Sequence, residues 1–253
     1  MRKLVFKREE TQVTPSVPQP GQGDKVVYLF HHAVATEDER NEFGGWTDSP
    51  LTELGQSQGQ LMQDFITTHG LIVNALWCSD LPRAVETAKY IIPVTTSKGC
   101  IYTPQARSWG IGSEISGNVK TNTLYRSAKK FYVEHPDEVP PGEDAESLNA
   151  SKYRWNRFLT YVLSVTEAGS PNGVVAHGNN IKNTAQTFGF GKLKVGHGSI
   201  SRLILSGVTM TFELLFVPPG SDLGAEDDEP IRKAVKSGQV YRSTAECVEV
   251  RSL

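Results

Sequence analysis

Val26-Val27-Tyr28-Leu29-Phe30-His31-His32-Ala33 is the stretch on which the fold turns. Its first five residues are apolar without a break and favour extended backbone. So short a run with no polar face predicts a strand covered on both sides, the interior strand of a parallel sheet. His31 and His32 come directly at its C-terminal end. Working outward, the pattern recurs. Thr52 offers a helix N-cap, and Leu54, Leu61, Met62, Phe65 and Ile66 form a helical apolar stripe that stops near Gly70. Residues 74–78 predict a second strand, and Ser79 can cap a helix that carries Arg83 in its first turn and runs to about Ile91. A later helix begins near Glu146, with Leu148, Trp155, Leu159 and Val162 on one face. Residues 173–176 predict a third buried strand, ending in His177-Gly178, with a helix over 180–188 behind it. Residues 199–205 and 208–217 predict a hairpin across Ser206-Gly207. Strands that alternate with helices predict an α/β fold, a mostly parallel central sheet with helices on both faces. Three polar clusters then sit at strand C-termini, the edge at which open α/β sheets bind ligands.

The chain has 253 residues, of which 38% are hydrophobic and 21% charged, enough apolar surface for one sizeable α/β domain with appendages or for two small domains. A net charge of −2 gives no basic excess that would favour nucleic acid or an anionic membrane as a partner. Cys78, Cys100 and Cys247 are far apart and odd in number, which predicts reduced thiols in a cytoplasmic setting, not a disulfide framework. Neither a signal peptide nor a membrane span is expected. Residues 1–24, rich in Pro, Gln and Gly, read as an N-terminal tail; 25–217 as the folded domain, with an insert or cap at about 105–145; and 218–253 as a charged C-terminal extension. Within that extension, 226–229 are acidic, Arg232, Lys233 and Lys236 are basic, and 239–250 could add an edge strand.

A phosphoryl-transfer site needs a nucleophile, cations for the phosphate oxygens and a proton donor for the leaving group. His32 sits where a strand hands over to a loop. Arg83 sits at a helix start, where backbone N–H groups also favour anions. Gly178, after His177, has no side chain to keep a ligand off the backbone. If their strands are neighbours, these groups converge.

With their flanks, these residues resemble the histidine phosphatase superfamily, which includes the cofactor-dependent phosphoglycerate mutases, over about residues 26 to 217. That family's strand ends in Arg-His-Gly, matched by His31-His32-Ala33. Its Gly-Trp-x-Asp and Leu-Thr-x-x-Gly segments match Gly45-Trp46-Thr47-Asp48 and Leu51-Thr52-Glu53-Leu54-Gly55. Its Ser-x-Leu-x-Arg-Ala-x-x-Thr-Ala matches the run from Ser79 to Ala88, and its strand-His-Gly matches Val174 to Gly178. Its Gly-Glu-Ser-Leu is present in expanded form from Gly142 to Leu148. The resemblance implies a phosphohydrolase acting on a small phosphorylated substrate. In it, His32 attacks phosphorus and carries the phosphoryl group, while Arg83, His31, His177 and Gly178 hold its oxygens. It implies no metal and no other cofactor.

The departures lie in the site. His31 replaces a permanently charged arginine fork, Ala33 a glycine, and Asp38 an asparagine that touches phosphate in many members. Ser108 falls where mutases and several phosphatases carry an acidic Glu. Asp38, Glu114, Glu143 and Glu146 are the remaining carboxylates, of which Glu146 is the expected catalytic acid. Arg40, Arg107, Lys120, Arg126, Lys129 and Lys130 could line the mouth, and Trp46 and Trp109 are expected to pack near its rim. These changes leave open a degenerate member that binds a phosphorylated ligand or protein without turnover. A metal site of His31, His32 and His177 is disfavoured, because adjacent residues of a strand point to opposite faces and no HxH or HExxH spacing exists.

Overall fold

A computed structural model describes residues 3–14, 17–191, 193, 195–221 and 240–250. In chain order the strands are β1 Lys3–Thr14, β2 Lys25–His31, β3 Leu76–Ser79, β4 Ile101–Thr103, β5 Asn172–Ala176, β6 Ile200–Ser206, β7 Thr209–Phe216 and β8 Val240–Val250. The α-helices are α1 Thr36–Glu39, α2 Glu53–Thr68, α3 Pro82–Ile91, α4 Thr123–Glu134, α5 Leu148–Val165 and α6 Gly178–Thr187. One eight-stranded sheet has the order β1-β8-β7-β6-β2-β5-β3-β4. Its core is parallel, with β2 beside β5, β5 beside β3 and β3 beside β4. From β6 onward the sheet continues as an antiparallel wing.

The apolar run of β2 does what its composition requires. Val26, Tyr28 and Phe30 face one side, where they join Met62 and Ile66 of α2 and Ala84, Ala88 and Ile91 of α3. Val27 and Leu29 face the other, with Trp155, Leu159 and Val162 of α5 and Ile181 and Ala185 of α6. The two-residue side-chain period thus feeds two helical layers. A smaller cluster of Phe43, Trp109, Ile111 and Ile115, with Tyr125 and Tyr132 of α4 against it, forms the cap. Among the described residues, no helix is long and apolar enough to cross a membrane.

Four expectations need correction. The inner face of α2 is Gly55, Gln58, Gly59, Met62 and Ile66, while Leu54 and Leu61 are exposed. Glycine packs there because neighbours come too close for a side chain: a Cβ on Gly59 would lie 2.4 Å from the Tyr90 ring. The N-cap of α3 is Leu81, not Ser79, whose hydroxyl accepts from the Leu81 N–H at 3.3 Å. Much of the expected N-terminal tail is strand β1, paired along β8. β8 is then an interior strand and not the expected edge, since it also pairs with β7. The acidic run at 226–229 and the basic residues near 232–236 lie outside the described residues.

Candidate active site

β2, β5 and β3 are adjacent and parallel, so their C-terminal ends meet at one edge of the sheet. That edge receives His31 and His32 from the end of β2, His177 from the end of β5, Ser79 from the end of β3 and Arg83 from the first turn of α3. The antiparallel β6 brings its leading residues to the same edge. The His31 N–H donates to the Ser199 carbonyl at 3.0 Å, and the Gly198 N–H to the His32 carbonyl at 3.0 Å. His197 is thereby carried against the paired histidines. A cavity of about 420 Å³ opens there, lined among others by His31, His32, Glu37, Asp38, Arg83, His177, Gly178 and His197, with Lys120, Lys129 and Lys182 also in its wall.

The four central side chains are almost wholly enclosed: His31 and His32 are each 4% exposed, Arg83 and His177 each 2%. The ring centroids of His32 and His177 are 5.0 Å apart. Those of His31 and His32 are 4.8 Å apart, edge to face, so the expected splaying of adjacent histidines does not occur. β2 ends at His31, and strand alternation ends with it.

Each ring is held by a hydrogen bond. His31 Nδ1 lies 2.9 Å from the Gly196 carbonyl and 3.2 Å from that of Val195. His32 Nδ1 lies 2.9 Å from the Ala33 carbonyl. A carbonyl only accepts, so Nδ1 carries the proton in both rings and Nε2 keeps the lone pair. His177 Nε2 lies 2.9 Å from the Ser79 hydroxyl, and its buried Nδ1 has no partner. Burial is the chief cause that lowers the pKa of all three. For His31 the positive character of His197 adds to it, against the Gly196 and Val195 carbonyls and the Asp38 charge, and the result is about 3. His32 is pushed well below the usual histidine range by burial and then by His31, Arg83 and His197. His177 is pushed well down by burial and then by Arg83 and His32.

Arg83 is less free than its position in the sequence suggests. Its Nη2 donates to the Gly45 carbonyl at 2.8 Å and its Nη1 to the Thr47 carbonyl at 3.0 Å. Its Nε lies 3.3 Å from Glu37 Oε1. A guanidinium has five N–H donors; two serve carbonyls and one faces Glu37, which leaves two for a ligand. Asp38 is turned onto protein partners: Oδ2 accepts from the Ala35 N–H at 3.0 Å, and Oδ1 lies 3.3 Å from His197 Nε2. Burial alone would raise its pKa, but these hydrogen bonds and the nearby imidazoles bring it down to about 2. Lys129 is lowered to about 8, by burial and then by repulsion from Lys120 and Lys182.

Glu146 does not join this group. Both of its carboxylate oxygens pair with Arg154, with Nε–Oε2 at 3.1 Å, and it stands one residue before Ser147, the N-cap of α5. Its backbone carbonyl also accepts from Trp109 Nε1 at 2.8 Å. The expected acid is therefore an anchor of the cap. Gly178 lines the cavity, and it also makes room for the neighbouring imidazole, since a Cβ there would lie 3.1 Å from His31 Cε1. Among the basic candidates, Lys120 and Lys129 reach the cavity, while Arg107 pairs with Asp80 at 2.7 Å. Trp109 is buried in the cap cluster, as expected of a rim residue, and Trp46 Nε1 donates to the Ser108 carbonyl at 2.8 Å. Glu37, His197 and Lys182 were not anticipated. For His197 a signal existed: a histidine between two glycines at the start of a strand that returns antiparallel to β2.

Comparison with known proteins supports the fold. A phosphoglycerate mutase of Candida albicans is 29% identical over 136 residues, covering 49% of this chain and 54% of that protein, so this match spans about half of the relative. A 2,3-bisphosphoglycerate-dependent phosphoglycerate mutase of Bradyrhizobium is 26% identical, covering 76% of this chain and 92% of its own. Among solved structures, "Mycobacterial hydrolase 1" superposes with a TM-score of 0.60 at 20% identity over 72% of this chain and 92% of the other. A mycobacterial glucosyl-3-phosphoglycerate phosphatase superposes with 0.57 at 19% over 71% and 92%. The family model for "Histidine phosphatase superfamily (branch 1)" matches residues 27–215, the span that carries every residue of the cavity described above. By this match and by the converging strand ends, the chain belongs to the histidine phosphatase superfamily.

Proposed function

We propose that this chain is a phosphohydrolase that cleaves a small phosphomonoester through a phosphohistidine at His32. The tautomer of His32 carries the reading. Its Nδ1 proton is spent on the Ala33 carbonyl, and burial keeps the ring neutral, so the Nε2 lone pair is available to attack phosphorus. The two Arg83 N–H groups not taken by Gly45, Thr47 or Glu37, and the backbone at the start of α6, are the donors assigned to the phosphate oxygens, since Arg83 and Gly178 both line the cavity. As the P–O bond to the leaving group breaks, its oxygen takes a proton. With a pKa of about 8, Lys129 is mostly protonated at neutral pH and suits that task in place of the carboxylate that Glu146 does not supply. Water then attacks the phosphohistidine, phosphate leaves and His32 is restored. The lysines of the cavity wall favour an anionic substrate.

One observation favours a second reading, binding without turnover: Glu37 partly neutralises Arg83, the one arginine among the described residues of the cavity wall. The experiment separates the two. Protein freed of metal by chelator is given an aryl and an alkyl phosphate from acid to alkaline pH. Turnover above a His32→Ala control, with label trapped on His32 after an acid-free quench, is the expected result, and the alkyl rate falls as pH rises through about 8. Phosphate-induced thermal stabilisation with no release above that control would replace the first reading by the second.

A further inference from the structure

His197 has no part in the chemistry proposed above, yet it completes a cluster. One ring nitrogen from each of His31, His32 and His197 lies within 4.8 Å of the others. The ring centroids of His31 and His197 are 4.5 Å apart, and those of His32 and His197 are 5.1 Å apart. Each of the three rings is backed on one nitrogen by an oxygen acceptor. For His31 these are the Gly196 and Val195 carbonyls, for His32 the Ala33 carbonyl, and for His197 the Asp38 carboxylate at 3.3 Å. Backing of this kind fixes the tautomer and leaves the other nitrogen's lone pair free to ligate, as metal-ligating histidines require. Arginine at position 31 and asparagine at position 38 would supply neither the ligand nor the backing charge. Both substitutions thus change an anion clamp in the direction of a cation site.

We propose that His31, His32 and His197 bind a divalent transition-metal ion, with zinc the best match, and that Asp38 orients His197. Three imidazoles exclude magnesium and calcium, which prefer all-oxygen shells, and leave a fourth tetrahedral position open toward the cavity. Zinc–nitrogen bonds of about 2.0–2.1 Å need the ligand atoms about 3.4 Å apart, so the cluster must close by side-chain rotation. The site does not depend on the phosphatase reading, but it bears on it. An ion on His32 Nε2 occupies the lone pair that would attack phosphorus, so metal loading and phosphohistidine formation exclude each other.

Zinc alone is the probe, added to chelator-treated protein without substrate. The expected result is about one equivalent retained after desalting, a rise in Tm, and an intense tetrahedral visible spectrum when Co²⁺ replaces zinc. His197→Ala is the informative variant, because at 23% side-chain exposure His197 is the least enclosed of the three rings. It and His31→Gln should weaken zinc binding at least tenfold, and Asp38→Asn by about 10–100-fold. Replacing His69 and His135, the two exposed histidines outside the cavity, should change nothing. Substoichiometric zinc in the wild type, or equal retention in wild type and His197→Ala, overturns the proposal. Neither result touches the phosphatase assay, which is run without metal.

Discussion

His31, His32 and His177 are buried imidazoles whose proton affinity falls on folding, and that links site and stability. Below about pH 6.5 the unfolded chain protonates each ring, while folded His31 stays neutral to about pH 3. The unfolded state therefore binds more protons, and stability rises with pH across that window. On acidification it falls, by about 1.4 kcal/mol per pH unit for each such histidine. Urea midpoints of metal-free protein should drop between pH 7 and 5, with a shallower slope in His31→Gln. Equal slopes in the two proteins would mean that His31 is not the group that titrates.

At the scale of elements, the loop that carries His32 rests on the first turn of α2. The Thr52 N–H donates to the Val34 carbonyl at 3.1 Å, and the Thr52 hydroxyl accepts from the Gly55 N–H at 3.1 Å. A Cβ on Gly55 would come within 2.0 Å of that same Val34 carbonyl oxygen. In an open helix, Gly→Ala gains about 1 kcal/mol. Here the clash is with backbone and overpacking of that sort costs about 1–3 kcal/mol, so the clash wins. Gly55→Ala should lower Tm and, by pushing Val34 away, disturb phosphorylation of His32. A Tm at or above wild type would show that the loop yields without cost.

For the whole molecule, the antiparallel wing is pinned by charge. Arg202 of β6, Glu213 of β7 and Arg242 of β8 are register partners across three strands. Arg202 and Glu213 pair at 1% and 0% exposure, and Arg242 Nε lies 3.5 Å from Glu213 Oε1. Arg202 also donates to the Pro18 carbonyl, which ties the N-terminal segment onto the wing. Removal of one partner strands a buried charge, so Glu213→Ala should cost about 3–5 kcal/mol in denaturant unfolding. An apolar pair, Arg202→Met with Glu213→Leu, should recover most of that loss. If the double variant is no more stable than the single one, the lost stability comes from packing and not from the stranded charge.

What the sequence determined by itself was the local and periodic part. An apolar run of five residues, rich in β-branched and aromatic side chains and bounded by polar clusters, is too short for a helix and reads as a strand, which places His32 and His177 at strand ends, while the capping pattern places Arg83 at a helix start. Tertiary structure decided which strands are neighbours, and hence everything that arrives from elsewhere. His197 reaches His31 only because β6 runs antiparallel to β2, and Glu37 meets Arg83 only because α1 and the first turn of α3 fold over one edge. Glu146 is turned from the site for the same reason: its partner Arg154 lies two turns along α5, and no spacing rule says which way a carboxylate turns. Contacts between segments distant in sequence are set by packing of whole layers, and no window of residues carries that information.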